Sequence, residues 1–225
     1  MAGLNNCTKD PTLEFELELL LRYRQVIALD EAGRGALAGP VAVGAQLFTA
    51  ATGEPPAGIR DSKLLSEKKR EALYDEVLAW ETGTVCFAAA QTIDDAGLTR
   101  ALGHAAAQAI TAVLDPATLN VQQTVILLDG KHNWVTAALP QQLREIPVIT
   151  KVGADRACLA VAAASIRAKV ARDRLLRQLH EEYPGYGWDT NKGYGSAAHT
   201  QAIRELGATP QHRLTWLKVP ADPLF

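Results

Sequence analysis

The sequence has few cysteines, few aromatic residues and no long apolar run. Its three cysteines, Cys7, Cys86 and Cys158, are far apart and form no Cys-x-x-Cys pair, so a zinc ribbon and a disulfide framework are both excluded. No apolar stretch approaches the roughly 18 residues of a membrane helix, and the N-terminus lacks the charged-then-apolar layout of a signal peptide. We therefore expect a soluble, cytoplasmic protein with no membrane partner, in which the cysteines are small buried residues.

The chain also lacks a strong net charge. Its 225 residues include 23 Lys and Arg against 25 Asp and Glu, for a formal charge of −2, which argues against binding nucleic acid by bulk positive charge. The average conceals an asymmetry, because residues 1–150 carry 12 basic and 18 acidic residues whereas residues 151–225 carry 11 and 7. Much of the basic excess in residues 151–225 lies in one predicted helix. This basic stretch is formed by Arg167, Lys169, Arg172, Arg174 and Arg177. Such a stretch is usually a solvated face.

The hydrophobic pattern predicts an α/β protein, a sheet with helices packed on it. Compact apolar runs predict strands over 25–29, 41–48, 84–91, 124–128 and 147–151. Helical spacing predicts helices over 13–22, from Ser66 as N-cap to 80, over 99–113, over 155–181, and from near Ser196. The short connection between the first two strands indicates antiparallel neighbours. Small residues at 160–165 would let another element approach that long helix closely.

Acidic residues stand at the carboxyl ends of three predicted strands. Asp30 and Glu31 follow the first strand, Asp129 follows the fourth, and Asp155 comes shortly after the fifth. Ligands in open α/β sheets bind at such ends, so neighbouring strands would bring these carboxylates together, and they would then need cations. Oxygen ligands without a His or Cys cluster favour Mg²⁺ or Mn²⁺. Two such ions, about 3.5 to 4 Å apart, catalyse phosphoryl transfer.

Each acidic residue also has an ordinary structural explanation. Asp129 precedes a glycine and could belong to a turn, and Asp155 could be the N-cap of a helix. In a regular strand Asp30 and Glu31 would point to opposite faces, so joint ligation would require a bend there, which the glycines that follow permit. Spacing alone therefore leaves a metal site and a set of structural carboxylates about equally supported.

Five segments of the sequence resemble the type 2 ribonucleases H (ribonuclease HII). They occur in family order and cover residues 25 to 216: LDEAGRGALAGPV at 29–41, DSKLLSEKKR at 61–70, LLDG at 127–130, AAASIRAKVARDR at 162–174, and NKGYGSAAH at 191–199. The resemblance implies a ribonuclease H-like fold, a mixed sheet flanked by helices with a helical C-terminal portion. We expect residues 1–24 to form an N-terminal helical extension and residues 25–225 to form the catalytic domain.

The resemblance also implies the site residues. Asp30, Glu31, Asp129 and Asp155 look like the family's four catalytic, metal-binding carboxylates, holding two Mg²⁺ or Mn²⁺ ions. Asp155 is chosen over Asp173 because the family's fourth ligand precedes the ASIxAKVxRD helix. Asp173 is then a structural ion-pair partner on that helix.

Three further elements resemble the family's substrate contacts. Gly33-Arg34-Gly35 is similar to the element that contacts the ribonucleotide, where glycines let the backbone approach the 2′-hydroxyl and an arginine can grip a phosphate. Tyr194 resembles the tyrosine that packs on the deoxynucleotide after the ribonucleotide. Lys63 would hold a phosphate, unless Asp61-Ser62-Lys63 simply starts the next helix. The ordinary alternatives are a flexible turn for the glycines and a loop anchor for Tyr194, whereas the basic residues at 167–177 would follow the duplex backbone.

By this resemblance the protein is an endoribonuclease that cleaves the RNA strand of RNA/DNA hybrids. It would also cut 5′ of ribonucleotides embedded in duplex DNA, leaving 3′-hydroxyl and 5′-phosphate ends, as in ribonucleotide excision repair. The rivals are a transposase- or resolvase-like DNA nuclease, which would cut all-DNA duplexes, and a non-catalytic hybrid-binding protein. We expect a monomer. The terminal ADPLF at 221–225 ends as sliding-clamp-binding peptides often do, which suggests a weak clamp contact.

Overall fold

The computed structural model describes residues 10–217, and its centre is one five-stranded sheet. The strands are β1 (Gln25–Ala32), β2 (Val41–Thr49), β3 (Gly83–Ala88), β4 (Thr124–Asp129) and β5 (Val148–Lys151). They lie in the order β3-β2-β1-β4-β5, with β1 antiparallel to β2, β2 antiparallel to β3, and the pairs β1–β4 and β4–β5 parallel. The sheet is therefore mixed, as expected, and the first two strands are antiparallel neighbours.

Eight helices surround the sheet within the described part of the chain. They are α1 (Glu14–Leu20), α2 (Glu67–Trp80), α3 (Ala90–Ala96), α4 (Leu98–Val113), α5 (Ala154–Ala157), α6 (Leu159–Glu182), α7 (Trp188–Asn191) and α8 (Ala197–Leu206). The predicted N-cap of α2 is confirmed, because the Ser66 side chain accepts a hydrogen bond from the backbone N–H of Lys69. None of the helices in residues 10–217 is both long and apolar enough to cross a membrane.

The sheet buries a different helix on each face, because successive strand residues point to opposite sides. Ile27 and Leu29 of β1 pack in the cluster that includes Ile110 of α4, whereas Val26 and Ala28 pack in the cluster that includes Val161 of α6. Both clusters are closed to solvent at the centre of the sheet. The strands of the sheet centre are thus covered on both faces, which explains their continuous apolar runs.

Helix α6 approaches the sheet more closely than ordinary side chains would allow. Its residues 160–165 are all buried, and a Cβ placed on Gly44 of β2 would lie 2.2 Å from the carbonyl oxygen of Ala164. The small-residue stretch therefore has the predicted effect, and Gly44 is required by the contact rather than by a turn.

The structure corrects two predicted boundaries. Residues 89–91 do not continue β3, because the alanine-rich segment turns into α3, and Gly97 with φ +82° separates α3 from α4. The helix predicted over 155–181 is divided at Cys158, which is extended (φ −114°, ψ 121°). Thr12 forms a β-bridge with Cys158, and its carbonyl oxygen accepts from the N–H of Leu159 at 3.0 Å. A distant segment therefore causes the break, which local sequence could not indicate.

The described N-terminal residues pack onto the domain and satisfy the start of α6. The N-cap of α6, Cys158, provides no side-chain cap. Instead the buried carboxylate of Glu16 in α1 accepts from the N–H of Ala160 at 2.7 Å. Burial raises the pKa of Glu16 to about 7, although the Ala160 N–H acts in the opposite direction. Residue Glu16 thus joins α1 to the helix that backs the sheet.

The C-terminal portion has a core of its own. Trp188 of α7 is fully buried among Leu176 and Leu179 of α6, Tyr186, and Ile203 of α8. This cluster packs on the C-terminal end of α6. It fixes α7 and α8, and so the two ends of the loop that joins them. The helical C-terminal portion expected from the resemblance is present.

We predict that Glu16→Ala lowers the free energy of unfolding by about 1 to 3 kcal/mol, because a buried backbone donor loses its acceptor. Glu16→Gln keeps an acceptor for the Ala160 N–H and should cost less. Glu18→Ala is the matched control, since Glu18 is exposed on the same helix. Urea denaturation followed by circular dichroism measures all three. Equal losses for Glu16→Ala and Glu18→Ala would contradict the capping role.

Candidate active site

Four carboxylates gather at the edge of the sheet where the parallel strands end. Asp30 lies near the end of β1, Asp129 is the last residue of β4, and Asp155 lies in α5 directly after β5. Glu31 follows Asp30 within β1. Parallel pairing of β1 with β4 and of β4 with β5 places these ends at one edge. Asp30 and Asp155 are buried there, at 2% and 3% exposure.

Strand β1 stays regular through Asp30 and Glu31, so the bend that joint ligation was expected to require is absent. Both remain paired with β2, Asp30 opposite Gly44 and Glu31 opposite Val43. The two side chains therefore leave β1 on opposite faces, Asp30 toward the α6 side. At the strand end the charge of Glu31 still acts on Asp30 and the charge of Asp129 acts on Glu31, so the two carboxylates share one site without a bend. The chain turns only at Gly33, where φ is +86°.

The carboxylates raise one another's pKa values. Burial raises the pKa of Asp30 well above its usual range, and the charge of Glu31 adds to the effect. The ammonium of Lys63 lowers it in part, whereas Asp129 and Asp155 raise it further. Burial also raises the pKa of Asp129, as does the charge of Asp155. The site therefore holds more negative charge than its own surroundings neutralise.

Two exposed cations border this negative charge. The Lys63 ammonium lies 3.3 Å from Oδ2 of Asp155, and Nη1 of Arg34 lies 2.9 Å from Oε1 of Glu31. Burial acts against the charge on Lys63, but Asp30 and Asp155 outweigh it and raise the pKa of Lys63. Burial raises the pKa of Glu31, although its hydrogen bond from Arg34 lowers it. Each cation thus neutralises one side of the site.

The donor set suits a hard divalent cation. All four side chains are carboxylates, and buried Oε2 of Glu31 finds no hydrogen-bond partner within residues 10–217. As the side chains stand, no three acidic, His or Cys groups in that range form a ready-made ion cage. Arg34 and Lys63 hold Glu31 and Asp155 in the present arrangement. Ion binding would therefore compete with these two cations for the carboxylates.

The contacts of three acidic residues test the structural roles considered for them, which were a turn for Asp129, an N-cap for Asp155 and an ion pair for Asp173. Oδ1 of Asp129 accepts from the N–H of Ala154 at 2.7 Å, so Asp129 binds the start of α5 rather than its own turn. Asp155 is not an N-cap, because Gly153 holds that position. Asp173 pairs with Lys169 at 2.7 Å, as expected.

The Asp61-Ser62-Lys63 segment forms a short 3-10 turn before α2 rather than the start of that helix. The buried carboxylate of Asp61 accepts from the N–H of Lys63 at 2.9 Å, which fixes the turn. Ser165 of α6 donates through Oγ to Oγ of Ser62 at 2.6 Å. The turn is thereby attached to α6, and Lys63 extends from it to Asp155.

The two glycines of the Gly33-Arg34-Gly35 element serve different purposes. Gly33 is buried, and a Cβ there would lie 2.0 Å from Nε of Arg172. The carbonyl oxygen of Gly33 accepts from Arg213 at 2.7 Å, and that of Arg34 accepts from the same guanidinium at 2.8 Å. Gly35 is exposed, with open space where a Cβ would be. The backbone can therefore approach a ligand at Gly35, whereas Gly33 shapes the loop from inside.

Tyr194 lies next to this element. Ala36 and Tyr194 form a β-bridge, and the N–H groups of Leu37 and Ala38 donate to the carbonyl oxygen of Gly193 at 2.8 and 3.1 Å. Tyr194 is 39% exposed. Its ring centroid lies 5.5 Å from Cζ of Arg172, and this buried guanidinium supports the ring from below.

The basic residues of α6 do not form one continuous exposed face, which corrects the expectation for Arg167 and Arg172. Arg167 and Arg172 are fully buried, and Arg172 donates to the carbonyl oxygens of Pro40, Ala38 and Lys192 at 2.8 to 3.0 Å. Lys169 pairs with Asp173, whereas the remaining two arginines pair with acidic residues of α2, in the contacts Arg174–Glu71, Arg177–Glu71 and Arg177–Glu67. The two buried arginines therefore brace the interior of the protein, whereas Arg174 and Arg177, at 43% and 36% exposure, join α6 to α2.

Sequence reasoning missed two arginines near the site. Arg213 is fully buried and holds the loop of Gly33, but it lies 180 residues away and outside any charged run. Arg156 is 65% exposed beside Asp155, with Nε 3.7 Å from Oδ2 of Asp61. Its position directly after a candidate ligand was the available signal.

Comparisons with known proteins show the family of this chain. The family model described as Ribonuclease HII matches residues 27–219. A ribonuclease HII of Streptomyces coelicolor is 40% identical over 215 residues, covering 94% of this chain and 85% of that protein. One of Paracoccus denitrificans is 41% identical over 210 residues, covering 93% and 92%. The solved PCNA:RNase HII complex from Archaeoglobus fulgidus has a TM-score of 0.65 at 25% identity, covering 89% of this chain and 98% of that chain. The chain therefore belongs to the ribonuclease HII family and is a ribonuclease H, a hydrolase.

Proposed function

We propose that this protein is an endoribonuclease that cleaves the RNA strand of RNA/DNA hybrids and cuts 5′ of ribonucleotides embedded in duplex DNA. The products would carry 3′-hydroxyl and 5′-phosphate ends. The observation that carries the proposal is the group of four carboxylates at one strand edge, beside a loop whose exposed Gly35 leaves room for a sugar. A 2′-hydroxyl approaching that backbone is what would separate RNA from DNA.

Asp30, Glu31, Asp129 and Asp155 would hold two divalent cations of the Mg²⁺ or Mn²⁺ class. Such ions supply charge neutralisation and an activated water to phosphodiester hydrolysis. The raised pKa values of Asp30 and Asp129 and the unpartnered oxygen of Glu31 support this role, because they mark negative charge without sufficient compensation. The hydrogen bond from the Ala154 N–H keeps Asp129 oriented.

The exposed cations around the carboxylates would bind phosphates of the substrate. Arg34 and Lys63 are 55% and 67% exposed, and Arg156 is comparably exposed. An arginine can hold a phosphate through two parallel hydrogen bonds, and a lysine acts as a point charge. These three side chains, rather than the arginines of α6, would therefore contribute the affinity for the duplex backbone, and Tyr194 would pack on the nucleotide after the ribonucleotide.

A weak clamp contact through the C-terminal residues remains a separate proposal. Residues 221–225, which carry it, lie outside the described residues. Its support is the Archaeoglobus fulgidus relative, which was solved as a complex with PCNA. We also propose that the enzyme acts as a monomer, a point that sedimentation in solution would decide.

We predict that Asp129→Asn abolishes cleavage, lowering kcat by about 100-fold or more, while sparing hybrid binding. The asparagine keeps an oxygen acceptor for the Ala154 N–H but loses the negative charge that would bind the cations. Cleavage of a labelled hybrid measures the rate, and fluorescence anisotropy measures binding without turnover. Asp115→Asn is the control, because Asp115 is exposed after α4. Retained cutting at a near-normal rate would refute the metal assignment.

A duplex that carries one ribonucleotide, compared with its all-DNA twin, separates the rival functions. With Mg²⁺ present, we expect one cut 5′ of the ribonucleotide and none in the twin. A transposase- or resolvase-like nuclease would cut both duplexes, and a non-catalytic hybrid-binding protein would cut neither. Electrophoresis of end-labelled strands gives the position of the cut, and phosphatase sensitivity identifies the 5′-phosphate.

A further inference from the structure

Two histidines form a buried pair that the proposed chemistry does not use. His199 in the first turn of α8 and His212 near the end of the described chain are 0% and 1% exposed. Their Nε2 atoms lie 3.2 Å apart, and the Trp188 ring, also fully buried, stands against both. Such an arrangement of neutral rings has to be specified by hydrogen bonds.

The hydrogen-bond donors around the pair determine where each proton lies. The backbone N–H of Thr209 can only donate, so Nδ1 of His212, at 2.9 Å, is an acceptor and the proton of His212 is on Nε2. The indole N–H of Trp188 donates to Nε2 of His199 at 2.9 Å, so this nitrogen is an acceptor. The Nε2–H of His212, at 3.2 Å, shares the same single lone pair. The proton of His199 is therefore on Nδ1.

The Nδ1–H group of His199 donates to the carbonyl oxygen of Tyr194 at 2.9 Å. The same oxygen accepts from the N–H of Ser196 at 2.8 Å, and the N–H of Tyr194 donates to Asn191 at 2.9 Å. Lys192, two residues before Tyr194, has a φ of +52°, which is unusual for a residue with a side chain. The backbone that directs the tyrosine ring is thus held in a strained turn from several sides, and His199 links the carbonyl of Tyr194 itself to the buried core.

Burial keeps both imidazoles neutral near pH 7. It lowers the pKa of His212 to about 4, and the neighbouring His199 acts in the same direction. Burial lowers the pKa of His199 as well. The aromatic ring of Tyr186 stands 4.9 Å from that of His212 and adds no compensating charge. At neutral pH, His199 is therefore the Nδ1–H tautomer and His212 the Nε2–H tautomer.

We infer that His199 is a positioning residue for substrate selection, holding Tyr194 through its Nδ1–H so that the ring meets the nucleotide at the RNA-to-DNA junction. This inference rests on the proposed role of Tyr194. It assigns the two ring nitrogens of His199 to different tasks. Nδ1 serves the substrate loop, and Nε2 serves only the core by accepting from Trp188 and His212.

Two amide substitutions separate these tasks, because each reproduces one ring nitrogen. His199→Asn places an amide N–H near the position of Nδ1, so it can still donate to Tyr194 but loses the acceptor for Trp188. His199→Gln places an amide oxygen near the position of Nε2, so it keeps the core acceptor but leaves the Tyr194 carbonyl without this donor.

The readout is the ratio of kcat/KM on a duplex with one embedded ribonucleotide to kcat/KM on an RNA/DNA hybrid. We expect His199→Gln to lower this ratio by about tenfold, the effect of losing about one hydrogen bond. His199→Asn should keep the ratio close to that of the unmodified protein, even though its melting temperature falls further. His104→Gln and His104→Asn are the controls, because His104 is exposed on α4.

Tyr194→Ala, alone and combined with His199→Gln, completes the experiment. If the inference is right, Tyr194→Ala lowers the ratio and the double variant lowers it no further. If Tyr194→Ala lowers the ratio but His199→Gln does not, or if His199→Asn lowers it more than His199→Gln, the positioning role is overturned and the role of Tyr194 stands. If Tyr194→Ala leaves the ratio unchanged, the proposed junction role fails, and the inference fails with it.

Discussion

The close contact between α6 and the sheet is the constraint on which the rest of the structure depends. Gly44 and Ala164 meet with no room for a Cβ, so the axis of α6 is set against β1 and β2. From that position α6 reaches the candidate site at several points. Its Ser165 holds the turn of Lys63 through Ser62, and Asp155 lies directly before it. A rigid helix thus determines where the loops of the site can lie.

The candidate site concentrates negative charge that the protein alone only partly neutralises. Asp30 and Asp129 have raised pKa values, and Lys63 and Arg34 each approach one carboxylate from the solvent side. Both cations are more than half exposed, so each can swing into solvent, but the largely buried carboxylates they leave would then need another cation. The arrangement is therefore suited to exchanging its own cations for metal ions and substrate phosphates.

Buried arginines hold the two loops that would recognise the substrate. Arg172 donates to the carbonyl oxygens of Ala38 and Lys192, one from each loop, and also supports the Tyr194 ring. Arg213 donates to the carbonyl oxygen of Gly33. A guanidinium has five donors in a rigid plane, so it holds several carbonyl oxygens in a fixed geometry, whereas a lysine offers three donors on a freely rotating ammonium. Arg172, which belongs to the basic stretch that the sequence suggested for nucleic-acid binding, thus serves inside the protein.

The sequence by itself determined the five strands and the main helices in their order along the chain, the antiparallel start of the sheet and the strand ends that carry Asp30 and Asp129. Those features follow from local periodicity and turn residues, which act within a few positions. Only the tertiary structure decided the break of the long helix at Cys158, the regular pairing of β1 through Asp30 and Glu31, and the burial of Arg172. These depend on residues far away in the chain, because a side chain's partners are chosen by packing and not by its neighbours in sequence.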